Sequence, residues 1–302
     1  MNVAGVAVLD LHRLRLLREL KHRGTLAAVA AALSYSPSAI SQQLSLLESE
    51  VGVPLLEPAG RRVRLTTQAE ILVAHTEYLL ERLEMAEADI AGSLAELRGT
   101  LRVASFQTAM LTLIPATLTL LRAEHPRLRV EVTQAEPDRA LLALPARDHD
   151  LVLTEEYPGH PAPRAAELEQ EELLDDPMRL ALPPGEGEVR DLSELAGRAW
   201  IMEPAGTPAR RWAVALCRDA GFEPDVRYES TDLLVHLRLV EQGHAVAMVP
   251  DLAWVSSGRP TAELRELPGA PVRRILTACR KGSGRHPAIR ACRSALSRAG
   301  RS

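Results

Sequence analysis

Residues 24–48 constrain the fold most, because they fit two short helices separated by a tight break and little else. Thr25 is placed to cap the first, whose Ala-rich body from Leu26 to Leu33 has high helix propensity and little side-chain bulk. Ser34 and Tyr35 form the break. Ser36 then stands as N-cap with Pro37 at the first helical position, where a missing N–H costs nothing. Ile40, Leu44 and Leu47 follow at i, i+4 and i+7 and make one apolar face. The opposite face carries Ser38, Gln42, Ser45 and Ser49, with Ser41 on its flank. A solvated helix normally presents Lys and Glu there. Short hydroxyls and amides are instead the groups that hydrogen-bond base edges and phosphates.

This is the anatomy of a helix-turn-helix, with Ser36–Glu48 as recognition helix; periodicity alone favours an ordinary helical hairpin in a small bundle. The flanks decide between them. Leu11, Leu14, Leu17 and Leu20 form an amphipathic first helix, which Asp10 can cap and Gly24 can end in a left-handed conformation. Its outer face is basic, with His12, Arg13, Arg15, Lys21, His22 and Arg23. Beyond the recognition helix Val51-Gly52-Val53-Pro54 is a stop. Leu55-Leu56 and Val63-Arg64-Leu65 read as two short strands around a Pro58-Ala59-Gly60 turn. These residues resemble the N-terminal domain of LysR-type transcriptional regulators, with Gly60–Thr66 as the wing. The resemblance implies that Ser36, Pro37, Ser38, Ser41, Gln42 and Gln43 bind DNA, with Ser38, Ser41, Gln42 and Gln43 facing the major groove. Arg61, Arg62 and Arg64 then hold the backbone or the minor groove. The chain departs from the family at Gln42, where Arg is usual, at Leu56 and Pro58 (Phe and Arg) and at Ala69 (Gly). Gln favours adenine where Arg favours guanine, so Gln42 shifts the expected operator preference.

Charge agrees with one DNA-binding end. Residues 1–66 hold eight Lys/Arg against five Asp/Glu, although the whole chain has a net charge of −4. A basic head on an acidic body suits phosphate contact by one domain only.

Thr67–Leu97 lacks Pro, and Gly before Gly92. Its seam of Leu72, Thr76, Leu79, Leu83, Ala86, Ile90, Leu94 and Leu97 predicts a long helix packed on another helix, which the resemblance makes the dimerising linker helix. From Gly99 the pattern alternates. Strands are expected at 100–104, 128–133 and 150–153, with helices at 110–123 and 138–144. A second series of strands falls at 178–182, 199–202, 226–229 and 245–249, with helices at 211–220 and 233–241. A final strand at 272–278 and a helix at 287–299 return to the first lobe. Alternation implies βαβ units and a mostly parallel sheet. Pro-rich stretches at 158–164 and 258–271 read as connectors.

The expected fold is therefore an N-terminal all-α winged helix-turn-helix with a long linker helix, followed by an α/β two-lobed effector domain like the periplasmic binding proteins. The expected boundaries are 1–66 for the head, 67–98 for the linker, 99–162 for lobe I, 163–265 for lobe II, and 266–302 for the return to lobe I. Ligands of such lobes bind at the carboxyl ends of strands, near helix N-termini. That rule selects Ser105, Phe106, Gln107 and Thr108, then Glu136 and Thr154, in lobe I. In lobe II it selects Glu203, Gly206, Thr207, Pro208, Ser230, Thr231 and Val249. Each residue could equally be a helix cap. As a set they describe a cleft, in which Glu136 and Glu203 add negative charge suited to a cationic or amphoteric effector.

Other classes are weaker. No Gly-x-Ser-x-Gly, His-Glu-x-x-His or phosphate-cradling loop occurs, and Glu155-Glu156 and Asp175-Asp176 read as solvent-facing acids, so no enzyme is expected. Cys217, Cys279 and Cys292 match no zinc or redox spacing and are expected as buried free thiols, with no metal and no cofactor. Nothing resembles a signal peptide or a membrane span, so the chain is expected in the cytoplasm. The reading is a regulator that binds dyad-related sites on double-stranded DNA as a homodimer or dimer of dimers, under a small-molecule effector. The alternative from another class is a cytoplasmic small-molecule binding protein whose helical head serves only assembly.

Overall fold

The computed structural model describes residues 9–33, 35–59, 62–162, 164–187, 189–256 and 261–301. The head opens with three helices, α1 (Leu11–Arg23), α2 (Leu26–Leu33) and α3 (Pro37–Val51). Local chemistry sets their ends. Asp10 accepts from the backbone of His12 and Arg13, Gly24 ends α1 at φ 74°, and Thr25 Oγ1 accepts from Ala28 N at 3.1 Å. Ser36 caps α3 and Gly52 ends it at φ 76°, one turn later than the apolar pattern suggests. Leu14, Leu17, Leu20, Val29, Ile40, Leu44 and Leu47 make the core of the head, onto which Ala69 and Val73 of the next helix also pack.

The wing lies slightly off its expected place. Strands β1 (Leu56–Ala59) and β2 (Arg62–Leu65) pair antiparallel, Leu56 opposite Leu65 and Ala59 opposite Arg62. Pro58 and Ala59 thus belong to a strand rather than to the turn; an edge strand tolerates Pro because its N–H need not pair. Ser34 of the expected break, Gly60 and Arg61 of the wing and residues 258–260 of the second connector lie outside the described residues.

Helix α4 (Thr67–Gly92), capped by Thr66, is 26 residues long, about 40 Å at 1.5 Å per residue. It stops at Gly92 rather than Leu97, where Ser93 turns back on Asp89 and Ile90. Its seam is divided. Val73 and Thr76 are buried against the head, whereas Leu79, Leu83 and Ile90 stand 50%, 40% and 67% exposed, with Tyr78 beside them at 67%.

The remainder is α/β, and its sheet is mixed rather than mostly parallel. Strands β3 (Gly99–Ser105), β4 (Leu128–Gln134) and β5 (Leu151–Glu156) are parallel, with α5 (Gln107–Glu124) and α6 (Pro137–Ala143) between them. β6 (Leu168–Leu182) is a single 15-residue strand where only residues 178–182 were expected. Its first half pairs antiparallel with β11 (Val272–Arg280), and β11 also pairs antiparallel with β5. Its second half pairs with β9 (Ala247–Pro250) and β10 (Glu263–Glu266), the latter inside an expected connector. β6 therefore runs from one lobe into the other. Its acids hide it in the sequence; those acids face arginines on β11 and on the last helix.

In lobe II, β7 (Ala199–Met202) and β8 (Asp225–Glu229) are parallel, joined by α7 (Pro208–Asp219). Helices α8 (Leu233–Glu241) and α9 (Asp251–Ser256) flank β9, and α10 (Pro287–Ala299) closes the chain. Ile289, Cys292 and Leu296 of α10 join Leu113 of α5 and Leu101 of β3 in the lobe I core. Among the described residues no helix is long and apolar enough to cross a membrane.

Candidate functional site

Two places carry the chemistry. On α3, Pro37, Ser38, Ser41, Gln42, Ser45 and Leu46 are exposed, while Ile40, Leu44 and Leu47 are fully buried. The exposed face is uncharged and rich in hydroxyl and amide groups. Ser36 Oγ accepts from Ala39 N at 3.1 Å and lies 3.0 Å from Ser38 Oγ, which fixes the first turn. Gln43 is turned toward α1, where its Oε1 accepts from Arg13 Nε at 3.1 Å. In the wing, Arg64 is exposed and its Nε donates to Glu57 Oε1 at 2.8 Å. Arg62 takes its place on β2, and Arg61 lies outside the described residues.

The second place lies where the two lobes meet. Gln107, at the start of α5, donates through Nε2 to Asp232 Oδ1 at 2.6 Å and accepts from Leu233 N at 3.0 Å. One amide thus ties a helix N-terminus of lobe I to one of lobe II. Deeper in, Arg273 is buried. Its Nη1 donates to Glu155 Oε2 at 2.6 Å, its Nη2 to Asp176 Oδ2 at 2.5 Å and to Thr108 Oγ1 at 2.9 Å. The guanidinium lies 5.2 Å from the centroid of the Phe106 ring, a cation–π contact. Asp176 Oδ1 also accepts from Leu252 N at 3.1 Å, so the pair is held from both lobes. Burial pushes the carboxyls of Glu155 and Asp176 up, and Arg273 opposes that shift.

The expected cleft residues divide accordingly. Phe106 and Thr108 touch Arg273, Glu203 feels the charges of Arg273 and Glu136, Gln107 bridges to α8, and Thr207 Oγ1 caps α7 by accepting from Arg210 N at 3.1 Å. Gly206, at φ 94°, Thr231 and Pro208 sit at the loop ends of lobe II. Ser230 turns inward: its Oγ accepts from Asp232 N at 3.0 Å and its carbonyl accepts from His236 Nε2 at 2.8 Å. Three residues do not offer polar groups to a cleft. Ser105 is fully buried, with Oγ donating to Phe106 O at 3.3 Å; Thr154 is buried inside the sheet opposite Leu276; Val249 belongs to the lobe II core. The strand-end rule places a residue near a site but does not give the face its side chain takes.

The acids expected in solvent are a correction too. Glu156 and Asp176 are 2% and 1% exposed, Glu155 is half-buried, and only Asp175 is exposed. Asp176 and Glu155 carry an expectation of solvent exposure only, and Arg273, Tyr157, Trp212 and His236 carry none from the sequence. An Arg273-Arg274 pair set between Val272 and the apolar run from Ile275 is the signal the sequence offers for Arg273.

The pattern of bacterial regulatory helix-turn-helix proteins of the LysR family matches residues 11–70, and that of the LysR substrate binding domain matches residues 94–301. The chain belongs to the LysR family of transcriptional regulators. It is 27% identical over 250 residues to the transcriptional dual regulator GltC of Bacillus subtilis, covering 82% of this chain and 83% of that one. It is 30% identical over 268 residues to a probable hydrogen peroxide-inducible genes activator of Mycobacterium avium, covering 86% and 85%. In fold it is similar to a full-length OxyR variant from Pseudomonas aeruginosa, at a TM-score of 0.65 and 19% identity over 96% of this chain and 95% of that one. The LysR regulator thus carries a DNA-binding helix-turn-helix and an effector-binding domain.

Glu203 gives this regulator a measurable pH signature. Burial, then the charges of Glu155 and Glu136, raise its carboxyl to about 8. A folded pKa above the unfolded value stabilises most below the unfolded value, near 4.5, and that stabilisation is lost as pH rises through 8. Glu203→Gln should therefore raise the melting temperature by several degrees near pH 8.5 and change it little near pH 5. Thermal unfolding across pH checks this; an equal shift at both pH values contradicts the assignment.

Proposed function

We propose that Ser38, Ser41 and Gln42 on α3 read base edges in the major groove while Arg61, Arg62 and Arg64 of the wing hold phosphate or minor groove. The observation that carries this is the uncharged, exposed hydroxyl and amide face of α3 beside a basic wing. Ser36 and Pro37 set the helix N-terminus at the backbone. Gln43 plays a lesser part, since Arg13 engages its carbonyl. Gln42→Ala should cost about 1–3 kcal/mol at one base position and relax discrimination there, whereas Arg62→Ala should weaken all sequences alike and lower the salt slope. Binding selections on randomised duplexes check this. Identical sequence profiles for wild type and the Gln42 variant would remove Gln42 from the interface.

Two copies pair through the exposed faces of α4, presenting two recognition helices to one side of a dyad-related site. The small effector sits between lobe I (99–162 and 266–302, together with the first half of β6) and the remainder of 163–265 as lobe II. Head (1–66) and linker (67–98) follow its movement. One strand spans the route. Arg273, near the start of β11, holds the cleft acids; Arg280, at its end, donates to Glu84 of α4 at 2.8 Å and to the His149 carbonyl at 2.7 Å. Seven strand residues cover about 23 Å, so a shift of β11 in the cleft is felt at the linker. Linkage then requires DNA to change effector affinity as effector changes DNA affinity.

Peroxide is a poor candidate for the signal here, despite the name of the Mycobacterium avium relative. All three cysteines are buried, and burial pushes the thiols of Cys217 and Cys292 up to about 12 and raises that of Cys279. The reactive species is the thiolate, which such sites withhold at neutral pH. The proposed role is binding without catalysis, in the cytoplasm.

A further inference from the structure

The lobe II side of the cleft contains a cavity lined by Tyr157, Met178, Met202, Glu203, Trp212 and His236, among others. Its volume of about 20 Å³ holds one group the size of a water molecule. The polar atoms around it are unusual in kind. His236 is 2% exposed, and its Nε2 lies 2.8 Å from the Ser230 carbonyl. A carbonyl only accepts, so Nε2 carries the proton. Burial lowers the ring's pKa and keeps it neutral, so Nδ1 is a bare acceptor, and it has no partner in the protein. Glu203, once ionised, is acceptor only as well. The rings of Tyr157 and Trp212, with centroids 5.8 Å apart, add two electron-rich faces.

The wider charge points the same way. Glu203 feels Glu155 on β5, Glu136 before α6 and Arg273 on β11. Arg273 is already committed to Glu155 and Asp176. On its own lobe, Arg210 donates to the backbone carbonyl of Glu203 and pairs with Glu229, and the Tyr157 hydroxyl is kept neutral by burial. An anion brought here would meet carboxylates. A cation with N–H donors would satisfy the unpartnered His236 Nδ1, join the Thr207 hydroxyl on the Glu203 carboxylate and relieve the repulsion.

We propose that this cavity receives the protonated head of an aliphatic primary amine, with Glu203 as counter-ion and His236 Nδ1 as hydrogen-bond acceptor. The proposal rests on the cleft being the effector site and names the class of effector. The ammonium head fills the cavity, and the alkyl body runs along Met178, Met202 and the aromatic rings toward the cleft closed by Gln107 and Asp232. A quaternary ammonium is excluded, being too large and lacking N–H. Because the head needs ionised Glu203, affinity rises with pH while the amine stays protonated, and binding releases a proton.

The test is calorimetric titration of the full chain with butylamine hydrochloride, sodium butyrate and tetramethylammonium chloride. Butylamine alone should bind, about fivefold more tightly at pH 8 than at pH 7 for a carboxyl near 8, with buffer-dependent heats that report the released proton. Glu203→Gln should abolish the pH dependence and weaken binding at least tenfold, and His236→Phe should weaken it about tenfold. Circular dichroism of each unliganded variant shows that it is folded. Butylamine binding unchanged in both variants would overturn the cavity assignment. Butyrate binding that Glu203→Gln strengthens would overturn the amine class and leave the cleft reading standing. No butylamine binding up to about 10 mM would overturn the proposal, while the cleft reading would remain answerable through the effector response of Gln107 variants.

Discussion

Arg273→Met should lower the unfolding free energy by about 3–5 kcal/mol, the usual cost of removing one partner from a buried ionic cluster. The methionine keeps most of the volume. What it loses is the charge between Asp176 and Glu155, together with the donor that satisfies Thr108 Oγ1. Asp176, only 1% exposed, would then be ionised without a counter-charge or be forced to take up a proton. The variant should accordingly recover part of its stability at acid pH, where both carboxyls are neutral. Adding Asp176→Asn to Arg273→Met should restore part of the loss at neutral pH as well, because one orphaned charge is gone. Urea unfolding of the full chain checks this; a change below about 1 kcal/mol would mean that water reaches the cluster and that it does not organise the cleft.

The second large effect concerns assembly. Leu79→Glu together with Leu83→Glu should convert the dimer to a monomer and weaken operator binding by roughly 100-fold or more, since the two half-sites are then bound independently. Both side chains lie on the uncovered face of α4, so the isolated chain loses little core packing. A patch of this kind on a long exposed helix is expected to be covered in the working assembly. Sedimentation and operator titration of the same preparation separate the two readouts. A variant that stays dimeric would place the interface elsewhere, on the effector domain.

What could be read from the sequence followed from local rules. Asp10, Thr25 and Ser36 cap their helices, and Gly24 and Gly52 end theirs, because capping is decided within a few residues. Ile40, Leu44 and Leu47 gave the inner face of α3, and the outer face followed by subtraction. The effector domain was less legible for two physical reasons. β6 carries Glu169, Glu171, Glu172, Asp175 and Asp176, which look like a solvated loop until arginines far along the chain are brought beside them. The antiparallel return of β11 between β5 and β6 depends on contacts roughly a hundred residues apart along the chain, which no local pattern reports. The same distance hid the cleft chemistry: Arg273 meets Thr108, Glu155 and Asp176 only after folding. Strand ends located Phe106, Gln107 and Glu203, but the inward turn of Ser105 and Thr154 was set by the pleat.

Binding of the full chain to its own upstream DNA, followed by footprinting over a range of salt, tests the central claim most directly. Two protected half-sites related by a dyad and separated by whole helical turns are expected. Preference over random duplex should be strong, and affinity should fall steeply with salt as counterions return to the phosphates. Equal binding to random duplex, with no protected dyad at any salt, would contradict the account and favour a small-molecule binding protein whose helical head serves only assembly.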